Sequence, residues 1–462
     1  EGAGGDHLHE IAKIRYAGMR SLLADAHVVT MDDAESEHPD GWILIENGFV
    51  LDVGSGIEPD AGERVSLGGA VVTPGLVNTH HHLYQTLTRA RAQQSTLFDW
   101  LVELYPTWAR IDAESEYAAA RTGLAELMLS GCTTVFDHHY VFPRGRTGLV
   151  EAEVQAAQEL GCRLVASRGS MDLGASDGGL PPDELVEEID AVLADTERLA
   201  RQLHETGPGA RVQIAVAPCS PFSVTGRLMT ESAGLARRLG LQLHTHLAET
   251  VEEEAYCLEL YGCTPVEYLD SLGWLDGDVW CAHCVHLSVA EIGRFAATGT
   301  GVAHCPTSNL RLGAGVAPVE AMTEAGVRVG LGVDGSASNE RSHLFGEMKQ
   351  ALLVARGRGG PNAMTARQAI RLGTRGGAEV LGRDDIGAIA PGRCADLAVW
   401  ATDGLELGGA ADPVAGLVFA GAHRVDRLYV GGELVVRGGA LLRADEGEIA
   451  RAHRAQASRF AP

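Results

Sequence analysis

The sequence predicts an α/β chain: a (β/α)8 TIM-like barrel joined to a small β-sandwich that draws its strands from both chain ends. Three observations carry that prediction. Eight near-continuously apolar runs, at 75–82, 132–137, 163–167, 212–218, 241–246, 279–283, 301–305 and 328–334, have the character of buried parallel strands. Between them lie Ala-, Leu- and Glu-rich stretches with helical spacing of apolar residues, such as 118–129 and 185–203. Shorter strand-like runs with Asp, Asn and Gly turn signals gather at the two ends, at 22–30, 42–46 and 50–53, and again at 395–400, 427–430 and 433–436.

The expected division follows from these runs. Residues 1–18 carry no strand pattern and read as an extension in which His7 and His9 are incidental. Residues 19–73 form the first part of the sandwich, 74–384 the barrel, 385–445 the second part, and 446–462 a C-terminal tail. A chain of 462 residues is long for one domain, but a barrel of this kind routinely takes about 250 residues or more. The competing architecture, an open doubly wound sheet, would want a Gly-x-Gly-x-x-Gly or Walker loop after its first strand, and neither occurs.

Composition narrows the class of partner. A net charge of −25 argues against nucleic acid and against an anionic membrane surface, since phosphate binding needs clustered Lys and Arg. No apolar run approaches the roughly 18 residues that span a bilayer, and no signal peptide is visible. Nine scattered cysteines, an odd number, fit free thiols in a reducing, cytoplasmic compartment. Cys281 and Cys284 make a C-x-x-C with no second pair; on a strand the two sulfurs face opposite sides, so both are expected in the core. The expected partner is a small molecule, and the sequence leaves self-association into a homo-oligomer open.

In a barrel the chemistry sits where strands end. The first strand runs into Thr79-His-His-His-Leu-Tyr-Gln85, and alternation sends His80 and His82 to one side and His81 to the other. The fifth ends in His244-Thr-His-Leu-Ala-Glu249, the sixth in Cys281-Ala-His-Cys284, the seventh in His304-Cys-Pro-Thr-Ser-Asn309, and the eighth in Val333-Asp334. Three neutral imidazoles and one carboxylate around a metal leave a position open for water, which is the pattern of a catalytic site. His80, His82, His246 and Asp334 are the expected metal ligands. His244 shares a face with His246 one layer deeper, which suits it to packing and orientation.

Bound to Zn2+, water ionises near neutral pH and becomes the nucleophile. Asp334 would accept its proton, Glu249 would carry a proton to the substrate, and His283 would hold the nucleophile and polarise the attacked carbon. A binuclear centre would need a bridging carboxylated lysine on a mid-barrel strand, and the only lysines, Lys13 and Lys349, fall in neither suitable place. One divalent ion per chain is therefore expected, Zn2+ first and Fe2+ as the alternative.

Pro74-Gly-Leu-Val-Asn-Thr-His-His-His82, His246-Leu-Ala-Glu249, Ala282-His283 and Val333-Asp-Gly-Ser-Ala-Ser-Asn339 together resemble the amidohydrolase superfamily, in its branch of purine, pyrimidine and triazine aminohydrolases. The resemblance runs from Met19 to about residue 445 and implies a barrel plus a small β-sandwich built from both ends. His82-x-x-Gln85 is similar to guanine deaminases, where a Gln at this place binds the purine edge. Tyr84 to Ala90, Leu97-Phe-Asp-Trp100 and Asp137-His-His-Tyr-Val-Phe-Pro143 resemble 8-oxoguanine deaminases most, with hydroxyatrazine-type triazine ethylaminohydrolases close by. Some of those relatives replace the carboxylate of the last strand; this chain keeps Asp334.

The resemblance implies deamination of 8-oxoguanine to urate plus ammonia, with triazine ethylaminohydrolase or guanine deaminase as alternatives. Gln85, Trp100 and Asn309 are the expected substrate contacts, because neutral donors and acceptors suit an uncharged heterocycle better than a phosphorylated one. Trp100 equally fits an amphipathic helix packed on the barrel. A cytidine-type zinc deaminase is excluded by the absence of His-x-Glu and Pro-Cys-x-x-Cys. A non-catalytic scaffold on the same barrel is the alternative from another class; such relatives usually lose ligands, whereas the whole set is present here.

Overall fold

A computed structural model of the chain describes residues 20–421 and 424–461. The expected extension, with His7, His9 and Lys13, lies outside the described residues. Five strands open the fold: β1 (Arg20–Val29), β2 (Glu37–Glu46), β3 (Phe49–Ser55), β4 (Glu63–Ser66) and β5 (Val71–Pro74). Eight parallel strands follow: β6 (Leu76–Asn78), β7 (Cys132–Asp137), β8 (Arg163–Ser170), β9 (Val212–Pro218), β10 (Leu243–Leu247), β11 (Val279–His283), β12 (Gly301–His304) and β13 (Val329–Leu331). They close into a barrel, β13 returning beside β6 with Leu331 opposite Asn78. Four more complete the chain: β14 (Leu397–Trp400), β15 (Arg427–Val430), β16 (Glu433–Arg437) and β17 (Ala440–Leu441).

The terminal strands make one nine-stranded mixed sheet, ordered β17-β16-β15-β14-β5-β1-β2-β3 with β4 beside β1. Its two halves meet where β5 pairs antiparallel with β14, Val71 opposite Trp400 and Pro74 opposite Leu397. The sheet is fastened to the barrel by a buried ion pair. Arg163, first residue of β8, donates to both oxygens of Asp396 at 2.7 and 3.0 Å, and Asp396 also accepts from the Gly431 amide. Beside it, Gly131 has φ 98° and lies so close to Trp400 that a Cβ would stand 2.5 Å from the ring, so glycine is required for conformation and for space.

The barrel interior is packed. Val77, Phe136, Val165, Ala215, Trp280 and Ala303 share one buried cluster, and the Phe136 and Trp280 rings meet edge to face at 4.7 Å. The polar residues at the strand ends therefore stand on an apolar floor, which is what keeps their environment dry. No helix among the described residues is long and apolar enough to cross a membrane.

Four local differences from the sequence expectation have physical causes. The first barrel strand stops at Asn78, not at His82. The Asn78 amide replaces the ladder there, donating to His80 O at 3.1 Å and accepting from Val333 N at 2.9 Å, and the chain turns into a short 3-10 helix, Leu83–Thr88. The helix expected from Leu185 begins at Ile189, because the Glu187 amide is held by Met171 O at 2.9 Å. Residues in the expected tail form a helix, Glu446–Ala457, docked on the helix Ala113–Leu129 through Gln456 Nε2 to Glu114 Oε1 at 2.8 Å. Finally, β4, β5 and β17 are too short for the alternation of apolar and polar residues to reveal them.

Candidate metal centre and active site

His80 and His82 follow β6, His246 lies on β10, and Asp334 follows β13. Closure of the barrel brings all four to one mouth, each less than a tenth exposed. His82 Nε2 is 3.1 Å from His246 Nε2, while Asp334 Oδ1 is 3.4 Å from His80 Nε2 and 3.3 Å from His82 Nε2. Metal–ligand bonds of about 2.0–2.1 Å in a tetrahedron give ligand edges of roughly 3.3 Å, so the donor set fits a divalent ion.

The opposite ring nitrogens dictate which atom faces that point. His82 Nδ1 donates to His138 O at 2.7 Å, and His246 Nδ1 donates to Cys219 O at 2.7 Å. His244 Nδ1 donates to Trp280 O at 3.0 Å, which leaves its Nε2 as an acceptor for His80 Nδ1 at 2.9 Å. Each of the three candidate ligands thus has its proton committed to Nδ1 and a lone pair on Nε2. Burial pushes all three rings well toward the neutral form that metal binding requires. His80 Nε2 is buried without a hydrogen-bond partner, as a ligand atom awaiting its ion would be.

Asp334 is held in place from behind. Ser308 and Ser338 hydroxyls donate to Oδ2, the Gly335 amide donates to Oδ1 at 2.6 Å, and the residue takes φ 62°. Burial opposes its charge, but the facing His80, His283 and His82 outweigh it and keep the carboxyl well below the usual range. Glu249 follows β10 and is 4 % exposed. Helix capping downstream falls to other groups: Thr250 accepts from Glu253 N, and Glu253 accepts from the Ala248 and Glu249 amides at 2.9 Å. The Glu249 carboxyl is left facing the cleft, Oε1 buried without a partner, and burial pushes its pKa up to about 7. His283 Nδ1 donates to Asn309 Oδ1 at 2.9 Å and turns Nε2 toward Glu249 Oε2 at 3.6 Å. Burial disfavours charge on this ring, but Glu249 and Asp334 more than offset it and raise its pKa.

The description of the amidohydrolase family matches residues 71–435, most of the chain. This protein belongs to the amidohydrolase family. It is 48 % identical over 423 residues to an 8-oxoguanine deaminase of Pseudomonas aeruginosa, covering 90 % of this chain and 94 % of that one. It is 38 % identical to a hydroxydechloroatrazine ethylaminohydrolase of a Pseudomonas species, covering 89 % of each. Among solved structures, the zinc complex of atrazine chlorohydrolase TrzN from Arthrobacter aurescens superposes with a TM-score of 0.91 at 34 % identity, over 95 % of this chain and 100 % of that one.

In this amidohydrolase the remaining candidates divide. Gln85 sits in the 3-10 helix after the histidines and lines the cleft, its Oε1 buried without a partner. Gly335 makes room for it, since a Cβ there would lie 1.9 Å from that oxygen. Trp100, on the helix Leu97–Trp108, packs in the core with Nε1 donating to Ala337 O at 3.3 Å and also lines the cleft. Asn309 is placed behind His283, with its side-chain oxygen engaged by that ring, and does not line the cleft. Cys281 and Cys284 are buried free thiols, as are Cys219 and Cys305.

One imidazole was passed over in the sequence. His138, after β7, stacks on His246 with centroids 4.7 Å apart, and one of its ring nitrogens is within 4.8 Å of ring nitrogens of His80, His82 and His246. Its Nε2 donates to Ala217 O at 2.8 Å. The available signal was the His138-His139 pair at a strand end, where alternation must send one ring inward. Tyr140, Cys219, Phe222 and Ser338 also line the cleft and carried no local signal.

Proposed function

We propose that this amidohydrolase hydrolytically deaminates a free purine base, 8-oxoguanine to urate plus ammonia. The observation that carries the proposal is the 48 % identity to an 8-oxoguanine deaminase across 90 % of the chain. The neutral amide of Gln85 beside Trp100, Tyr140 and Phe222 in the cleft wall agrees with an uncharged, planar substrate.

His80, His82, His246 and Asp334 would hold one divalent ion, Zn2+ first and Fe2+ as the alternative. Such an ion supplies Lewis acidity that makes water a nucleophile near neutral pH. The chain's own groups do the rest. Water oxygen adds to the carbon bearing the exocyclic amine, with His283 Nε2 positioning it and polarising that carbon. Asp334 Oδ1 accepts one water proton, and Glu249 delivers its proton to the ring nitrogen. The proton held by Asp334 passes to the amine so that the C–N bond breaks with ammonia leaving, and the hydroxyl proton of the adduct returns to Glu249. Gln85 both donates and accepts along the amide-like edge of the base. Asn309 acts through His283, holding its tautomer. Residues 19–73 and 385–445 would form the sheet domain and 74–384 the catalytic barrel, in a cytoplasmic protein that handles a small molecule and has no nucleic-acid partner.

The second reading is a hydroxytriazine aminohydrolase, favoured by the 38 % identity to the hydroxydechloroatrazine enzyme. One steady-state screen separates the two: ammonia release from guanine, 8-oxoguanine, isoguanine, cytosine and hydroxytriazines. We expect 8-oxoguanine to have the highest kcat/KM, with urate appearing in step with ammonia. Release from 8-oxoguanine no faster than from adenosine or cytidine would overturn the proposal.

A further inference from the structure

On the outer side of β7, away from the cleft, three more donors converge. Glu116 comes from the helix Ala113–Leu129, Glu153 from the helix Leu149–Leu160, and His139 from the turn after β7. All three are fully buried. His139 Nδ1 is 2.9 Å from Glu153 Oε1 and 3.7 Å from Glu116 Oε2, and the three donor atoms lie within 4.8 Å of one another.

The protons do not fit a simple ion pair. His139 Nε2 donates to Val141 O at 2.9 Å, so in the neutral ring Nδ1 carries a lone pair that faces two carboxylates. The 2.9 Å contact to Glu153 lies off the hydrogen-bonding direction: Nδ1 and all four oxygens of Glu116 and Glu153 are buried with no hydrogen-bond partner. No arginine or lysine among the described residues makes a hydrogen bond or ion pair to either carboxylate. Arg168, whose charge acts on the His139 ring, is committed to Glu187 and Asp195 at 2.8 Å. Two ionised carboxylates facing a lone pair in the interior repel, and either protons on the carboxyls or a cation at their centre must relieve them.

We infer that Glu116, Glu153 and His139 form a second, closed divalent-cation site, separate from the cleft. The ring geometry is that of a metal ligand whose other nitrogen is fixed by a backbone carbonyl. A cation of charge +2 would balance the two ionised carboxylates that ligate it. One imidazole and two carboxylates suit Zn2+, Mn2+ or Fe2+ in preference to Ca2+ or a thiolate-seeking ion. With no solvent-exposed donor the site serves structure. It clamps two helices to the end of β7, where Asp137 Oδ1 accepts from Leu83 N at 2.7 Å and so steadies the turn that follows the cleft histidines. It brings the ions per chain to two, one in each site.

The test is a metal count and an anomalous-diffraction map on the full chain prepared with Zn2+. Two ions per chain are expected, with a second peak between Glu116, Glu153 and His139. Glu116→Gln should lower the count from two to one and erase that peak alone, whereas His82→Ala should erase the cleft peak alone. Zn2+ should still raise the melting temperature of His82→Ala and lose this effect in the His82→Ala, Glu116→Gln double variant. One ion per chain with a single peak in the cleft overturns the inference, because protons would then be holding the cluster together. Should Glu116→Gln not fold, the wild-type map decides by itself. Loss of the cleft peak alone would count against the proposed function and leave this site standing.

Discussion

His283 Nε2 lies 3.6 Å from Glu249 Oε2, both buried, and each raises the charged population of the other in a site that otherwise favours neutral groups. The carboxyl is poised at about 7 by burial, near the operating pH where a proton carrier is most effective. Glu249→Gln keeps shape and removes the proton. It should retain metal and lower kcat by about 10²–10⁴-fold, measured as ammonia release alongside metal analysis. A variant that turns over at the native rate would place the proton path elsewhere.

His82→Ala should lose the cleft ion and turnover together, since it removes one of the expected ligand lone pairs. His244→Leu should act more gently. It deprives His80 Nδ1 of its acceptor, a partner 2.9 Å away, and loss of such support typically weakens metal binding by about 10–100-fold. Competition with a chromogenic chelator distinguishes the two outcomes.

Gln85→Ala should reduce kcat/KM for the preferred base by roughly 1–3 kcal/mol in transition-state binding. The metal content should not change, because Gln85 touches a candidate ligand only through its backbone amide, which donates to His82 O at 3.0 Å and survives the substitution. An undiminished kcat/KM would remove Gln85 from the substrate contacts.

Asp396→Ala should destabilise the chain by about 3–5 kcal/mol, the cost of leaving the buried Arg163 guanidinium without its carboxylate. The loss would appear in denaturant unfolding as a lower midpoint, with the fastening between sheet and barrel as its origin. Asp396→Asn keeps one acceptor and should lose less.

Acid should weaken the fold through its buried neutral rings. His453, on the C-terminal helix, contacts Thr86 Oγ1 at 3.2 Å, and burial pushes its pKa down to about 4. Above the ordinary histidine value of about 6.5 both states are neutral and nothing is lost. As pH falls through that value the unfolded chain takes the proton first, so stability drops until the folded value is reached. His453→Gln should therefore flatten the fall in melting temperature between pH 6.5 and 4 and leave pH 8 unchanged. A profile identical to the parent would show that this ring is not one of the groups responsible.

The sequence by itself determined the class of the fold and the placing of histidines and carboxylates at strand ends. Apolar runs repeating with helices between them specify a barrel because parallel strands covered on both faces must be apolar throughout. His80-x-His82 and His246-x-x-Glu249 are local spacings, and a strand or the turn after it converts them directly into direction. Tertiary structure alone decided which nitrogen of each ring is free. That depends on Trp280 O, His138 O and Cys219 O, and on a His80–His244 contact spanning 164 residues. It also set Asn309 behind His283, brought His138 beside His80, His82 and His246, and gathered Glu116, His139 and Glu153 from three elements. Such pairings are made by barrel closure and helix packing, and no periodicity along the chain encodes which distant backbone oxygen a buried side chain will meet.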